Sequence, residues 1–453
     1  MHSRFLSCLV IGVAIIARTL GGALEVARFD ADATPATGTM LAYDPMVGAG
    51  ELTLRCRGVI LRGAGEPIVL CAIDWIGVAN DSHDQFRDML AAAAGTRRSR
   101  VSIHALHQHD APQADATSER ILVSRGMAPG PFDSGIVLPA MLRASNAVAG
   151  ALTQFKPVTH IGWGQAEVHQ VASNRRIAGP DGNIRAVRYT SCKDPALQAA
   201  PEGLIDPNVV LVSFWQEEVP LVALSYYATH PQSYYRTGLA NPDFPGIARF
   251  LRDQSLPGLL HVHFNGAGGN IGAGKYNDGS PTNRAVLAGR LADGMARAWK
   301  ATTRTAIRSE DVEWRSETLV LPVASHLKAS ELDQAVRRPT PQIHVLAAQL
   351  AYVERVQAGK GCDIGCLRLG NVRILHMPGE LFVEYQLAAR AMRPDLQIAM
   401  ASYGDYGTAY IGTEKAYELG GYETEPRSSN VAPKVQGVLM QAMQRLLETP
   451  TAR

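Results

Sequence analysis

Short apolar runs of strand length, interleaved with segments of helical periodicity, constrain this chain more than any other feature. Strand-like runs recur at 52–61, 68–76, 101–105, 209–215, 221–227, 259–264 and 367–376. Several are continuously apolar instead of alternating, which is the pattern of strands covered on both faces. Apolar residues at helical spacing mark 84–94, 136–152, 285–300, 343–356, 381–392 and 432–447. Mixing of this kind predicts an α/β fold (mixed α+β) with strands covered by helices. The 453 residues contain no internal repeat, low-complexity tract or clear linker, so one large domain over residues 24–450 is expected. Segment 173–206 is rich in Gly, Pro, Asn and Asp and reads as a long surface excursion bordering a binding site.

Composition excludes several classes. Hydrophobic residues at 46%, with 42 Gly and 26 Pro, exclude a disordered chain or a coiled coil. Lys plus Arg at 44 against Asp plus Glu at 42 leaves +2, without the basic excess of a nucleic-acid partner. At the N-terminus, Arg4 precedes an apolar run at 5–17, too short to span a bilayer, which takes about 20 residues. Gly21 and Ala23 give the small-x-small pattern of a cleavage site, so 1–23 is read as a signal peptide and the chain as exported, periplasmic or secreted. An uncleaved anchor or a first buried helix is the competing reading.

Cleavage would remove Cys8 and leave Cys56, Cys71, Cys192, Cys362 and Cys366, an odd number that leaves at least one thiol unpaired or a bridge between chains. Cys362 and Cys366 are expected in a Gly-rich turn where a small ring can close. Without a second close pair, a four-thiolate zinc site is not expected. Cys56 and Cys71 fall on neighbouring strand runs and read as small buried hydrophobes.

The strongest chemical signal is Ile103-His104-Ala105-Leu106-His107-Gln108-His109-Asp110-Ala111-Pro112, at a strand's C-terminal end, where α/β proteins place their sites. In extended backbone His107 and His109 would project to one face, which suits a metal ligand beside a proton carrier. His230 stands just past the apolar run 221–227, before Asn241-Pro242-Asp243-Phe244-Pro245-Gly246 and a helix. The third element, His376-Met377-Pro378-Gly379-Glu380, places Glu380 at the start of a helix, where a carboxylate also offsets the helix dipole. Two histidines and a carboxylate from separate strand ends match the ligands of an open catalytic zinc site.

These elements, in this order, resemble the N-terminal domain of the neutral/alkaline non-lysosomal ceramidases. His107-Gln108-His109-Asp110-Ala111-Pro112 resembles that family's first histidine element, and Thr229-His230-Pro231 with Asp243-x-x-Gly246 its second. Pro378-Gly379-Glu380 resembles the acidic turn, and Ala409-Tyr410-Ile411-Gly412-Thr413 with Tyr422-Glu423 a tyrosine-rich stretch. The opening Val26-Ala27-Arg28-Phe29-Asp30 resembles the first strand, so the similarity runs from about residue 24 to 425. The resemblance implies zinc ligands His107, His230, Glu380 and Tyr410, with His109 as proton carrier. It also implies that Asn174-Arg175 brings a cation to the substrate or oxyanion and that Tyr422 offers a phenol donor.

The chain departs from the family at two places. Where the family carries a serine loop, this sequence has Asn265-Gly266-Ala267-Gly268-Gly269-Asn270, with Gly266 at the serine position and Asn270 at an aspartate position. Those glycines would let backbone N–H groups face a ligand as an anion-binding nest, and a positive φ at Gly266 would oppose restoring the serine. The second departure is the expected absence of the family's C-terminal immunoglobulin-like domain.

The function implied is an exported, zinc-dependent hydrolase that cleaves an amide (N-acyl) bond with metal-activated water. Its partner would be a small-molecule or lipid amide, with peripheral membrane contact and no nucleic acid. Two other classes fit the same residues: a zinc hydrolase for another ester or amide, and a non-catalytic binding protein that keeps the metal.

Overall fold

In the computed structural model, which describes residues 22–448, three main sheets are antiparallel except for one parallel strand pair in each. The signal-peptide expectation, with Cys8, falls almost wholly on residues outside those described. The first sheet runs Val101–Ala105, Ile68–Ile73, Arg55–Arg62, Glu25–Asp32, Lys156–Pro157, and its first two strands are parallel. The second runs Leu260–Asn265, Val219–Tyr227, Asn208–Gln216, His160–Glu167, Thr303–Ala306, again with the first two parallel. The third runs Val312–Leu319, Cys362–Leu369, Val372–His376, Gln397–Ala401, and its last two strands are parallel.

The three sheets turn one face each to a common core. Val59 and Leu70, Val212, Leu224 and Val262, and Leu367, Ile374 and Ala399 pack there as one cluster. Helices cover the outer faces. Asn80–Ala94 and Ser134–Ala151 lie on the first sheet, Asp243–Ser255 and Thr282–Lys300 on the second, Val383–Met392 and Val435–Leu447 on the third. This layering explains the continuously apolar strands. All six residues of Ile68–Ile73 are buried, with Leu70 and Ala72 in the central core and Val69, Cys71 and Ile73 under the helices. Alternate side chains enter two different cores, so both must be apolar. The fold is a mixed α/β architecture, as the sequence implies.

The parallel pairs decide where chemistry can be placed. Their C-terminal ends converge, tied by Ala105 N–H donating to Tyr403 O at 2.9 Å and Ser402 N–H donating to Asn265 O at 2.9 Å. One strand end from each sheet is thereby locked to the others. Among the described residues no helix is long and apolar enough to cross a membrane.

Three local expectations are corrected. The run 367–376 is a hairpin of Cys362–Leu369 and Val372–His376, broken at Gly370, whose φ of +60° allows the tight turn. Cys362 and Cys366 therefore sit four residues apart along one strand, roughly 13 Å from end to end, and close no ring. Segment 173–206 is not wholly superficial: Ser173, Asn174, Arg175 and Arg188 are buried. Cys56 and Cys71, on adjacent antiparallel strands, are buried free thiols 3.3 Å apart at sulfur.

Candidate active site

His107 follows the strand Val101–Ala105, but not in extended backbone. Its φ is +71°, so left-handed geometry, and not strand alternation, turns it toward His109. Their ring centroids lie 5.1 Å apart. Tyr403 and Ala409 near the same site also have positive φ, at +61° and +53°. Left-handed non-glycine residues cost on the order of 1–3 kcal/mol each, and they gather here.

The Nδ1 of His107 lies 2.6 Å from the Ile76 carbonyl, an obligate acceptor, so Nδ1 carries the proton and Nε2 presents a lone pair. That Nε2 stands 3.2 Å from Glu380 Oε2, and neither atom has a hydrogen-bond partner. His230 Nδ1, equally unpartnered, lies 3.8 Å from the same oxygen. All three residues are buried. Acceptor atoms held together away from water repel unless a cation sits among them. The imidazoles of His107, His109 and His230 offer nitrogen atoms within 4.8 Å of one another, a buried group able to hold a metal ion. Glu380 and the Tyr410 phenol adjoin it with the oxygen donors a divalent cation accepts.

Glu380 is not in a helix. It pairs with Tyr410 across the parallel two-residue strands Glu380–Leu381 and Tyr410–Ile411, and the helix begins only at Val383. Burial pushes the Glu380 carboxyl up, but the charge of a protonated His107, the Tyr406 O–H (2.8 Å to Oε1) and Arg175 together would hold it below the usual range, a pull that a metal ion at the same nitrogen would replace. Burial likewise raises the Tyr410 phenol well above its ordinary value, against the pull of Arg175, whose Nη2 donates to the phenol oxygen at 3.1 Å.

His109 lies with Nε2 3.4 Å from His230 Nε2, and its ring stacks on Tyr43 at 5.8 Å and 2°. Burial, then the neighbouring His107 and Arg175, depress its pKa well below the ordinary histidine value. Burial, Arg175 and the other two histidines do the same to His230. Both imidazoles are neutral near pH 7, the form that ligates metals and accepts protons.

Arg175 is fixed from three sides, donating to Glu423 Oε1 at 3.1 Å, Gly269 O at 3.0 Å and Tyr410. Asn174 braces the loop instead, its side-chain amide donating to Leu204 O and accepting from Arg176 N–H. Half-buried Tyr422 meets Tyr410 edge to face at 5.7 Å. The four residues named as ligands, together with His109, Arg175 and Tyr422, thus lie in one place.

The glycine loop departs from expectation. Gly266 N–H donates to Tyr227 O, Ala267 N–H to Gln386 Oε1 and Gly269 N–H to Leu381 O. These donors serve the protein, so they form no anion nest. Gly266 has no positive φ; an added Cβ would instead meet Gln386 Oε1 at 2.7 Å and Ala228 N at 3.0 Å. At Gly268 and Gly269 a Cβ would strike Thr229 O at 2.4 Å and Glu380 O at 2.3 Å. Glycine here lets the loop press directly on the backbone carrying His230 and Glu380.

Sequence reasoning missed Tyr43, Tyr403 and Tyr406, which stack on His109, stack on His107 (4.6 Å) and bond Glu380. It also gave no role to Glu423, fully buried between Arg175 and Arg176. A carboxylate amid tyrosines was the one local hint.

No protein-family model and no curated protein matches the sequence. The solved structures with a similar fold include two ceramidases. Neutral ceramidase from Pseudomonas aeruginosa superposes with a TM-score of 0.67 at 16% identity, covering 94% of this chain and 74% of that one. A ceramidase complexed with C2 gives 0.67 and 16%, covering 94% and 75%. The chain has the fold of neutral ceramidase.

Proposed function

We propose that this chain is an exported zinc-dependent hydrolase that cleaves an amide, as its structural neighbours' name indicates for ceramide. One observation carries the reading: His107 Nε2, His230 Nδ1 and Glu380 Oε2 converge, buried and unpartnered, beside the Tyr410 phenol. Two imidazoles and oxygen donors are a ligand set that suits zinc. When bound, zinc polarises a carbonyl and acidifies water.

The chain's own residues would do the rest. His109, neutral and next to His230, would take a proton from the attacking water as its oxygen bonds to the amide carbon. It would return that proton to nitrogen as the C–N bond breaks, releasing an acid and an amine. Arg175, locked by Glu423, would face the negative charge that develops on the carbonyl oxygen, and Tyr422 would orient the substrate. A groove of about 390 Å³ lined by Met40, Tyr43, Ile76, Phe132, Val345 and Tyr406 opens beside these residues and suits the apolar part of an N-acyl lipid.

The reading includes one catalytic domain over 24–450 and a signal peptide ending near Ala23. The decisive experiment is turnover of a panel of N-acyl amides by protein as purified, with and without a chelator and after zinc is restored. Chelator-sensitive amide release is expected; metal-independent turnover, or none on a fully zinc-loaded protein, would refute it.

A further inference from the structure

The loop after His230 holds a cation beside the site that the proposed chemistry does not use. Arg236 adopts φ +66°, a strained setting for a non-glycine residue. The buried carboxylate of Asp110 pins it there: Oδ1 accepts from Arg236 N at 2.8 Å and Thr237 N at 3.4 Å, and Oδ2 from the Thr237 hydroxyl at 2.8 Å. The exposed guanidinium stands 5.5 Å from the ring centroids of both Tyr43 and Tyr235. Those rings in turn flank His109, at 5.8 Å and 5.5 Å.

Among the described residues no carboxylate forms an ion pair with Arg236. Arg427 differs in this respect. It too lies over a tyrosine of the site, 5.1 Å from the Tyr422 ring, but its charge is met by Glu425 at 3.1 Å. A cation held on strained backbone, framed by aromatic rings and left without a counter-charge, is a prepared anion contact.

We infer that Arg236 binds an anionic group on the amine half of the substrate, so that the preferred substrates are N-acyl amino acids or similar acidic amides. This rests on the hydrolase reading, because His109 fixes which half lies here. The histidine that hands a proton to the leaving nitrogen must adjoin the amine, and Arg236 sits one aromatic ring beyond that histidine. The apolar groove, which Tyr43 lines and Arg236 does not, takes the acyl chain. A neutral amino-alcohol amide would leave the guanidinium unused.

The test compares N-lauroylglycine with N-lauroylethanolamine, alike in size but differing in charge, on wild type, Arg236→Gln and Arg236→Lys. Wild type should favour the glycine conjugate by about tenfold in kcat/KM, mainly through KM, as for one charge-assisted hydrogen bond. Arg236→Gln should collapse that ratio, and Arg236→Lys should restore part of it. Equal turnover of the two by wild type, or an undiminished ratio in Arg236→Gln, would overturn the inference and leave the hydrolase reading standing. If zinc-loaded protein hydrolyses neither of these two amides, the wider panel of N-acyl amides decides the hydrolase reading. Calorimetric binding of the same two compounds then decides: an anion preference lost in Arg236→Gln supports the role, and no preference overturns it.

Discussion

Glu380 and Tyr410 are register partners across a two-residue parallel pairing, so a carboxylate and a phenol thirty residues apart are delivered side by side. The pairing is itself tied in: Glu380 N–H donates to Ala409 O at 2.9 Å, and Ser429 Oγ donates to Tyr410 O at 2.8 Å. Backbone geometry thus fixes both oxygens, while the strand ends of the other two sheets supply the histidines. Such preorganisation lowers the ordering cost of binding.

Metal content tests this arrangement directly. Purified protein should carry close to one zinc per chain, and His107→Ala plus His230→Ala should abolish it, measured by elemental analysis with circular dichroism as a fold control. Full occupancy in a folded double variant would show that the metal sits elsewhere.

A different variant separates ligand from proton carrier. His109→Ala should retain zinc and lose about 10²–10⁴-fold in amide turnover. Because Tyr43 stacks on the His109 ring, His109→Phe serves as a packing control and should be equally slow. Zinc lost from both variants would make His109 a ligand, and an unchanged rate would make it a bystander.

Much of this site was legible in the sequence, and the reasons differ by residue. Apolar runs locate strand ends, because a strand buried between two cores is mostly apolar until it emerges, and His107, His230 and Glu380 each follow such an end. The backbone at those residues was not legible. His107 turns by a positive φ and Glu380 pairs with a strand, and both outcomes depend on partners remote in sequence: Ile76 and Trp75 for the first, Tyr410 for the second. Tyr43 and Tyr403 sit in loops and Tyr406 in a single 3-10 turn, none with periodicity, and only the closed fold joins them to the histidines.

Buried histidines away from the site predict how stability follows pH. Burial, with Arg249 nearby, depresses His263 to about 3, and burial depresses His261 to about 4. The unfolded chain takes up these protons near pH 6.5, whereas the folded chain refuses them until far lower. Their contribution to stability is therefore complete above about pH 6.5 and is lost as pH falls toward 4 and then 3. Each excluded proton steepens the loss by at most ~1.4 kcal/mol per pH unit. Denaturant midpoints at pH 7.5, 6 and 5 should fall less steeply in His263→Gln than in wild type. Parallel pH slopes in the two proteins would mean that His263 is protonated in the folded state.

The loop at Gly269 offers the sharpest test of how the site is supported. A Cβ there would lie 2.3 Å from Glu380 O, 2.9 Å from its carbonyl carbon and 3.0 Å from Leu381 O. All are backbone atoms, so relief requires the Glu380–Tyr410 pairing or the loop itself to move. Overpacking of this kind costs about 1–3 kcal/mol. Gly269 O also receives Arg175 Nη2, and Gly269 N–H donates to Leu381 O, so a shift disturbs the carboxylate and the guanidinium together. Gly269→Ala should therefore weaken zinc binding and slow turnover beyond what its loss of stability explains. Gly289→Ala, at a helical position with open space around the new methyl, is the matched control and should leave both unchanged. Zinc affinity and rate in Gly269→Ala equal to wild type would mean that the loop yields freely and does not set the position of Glu380.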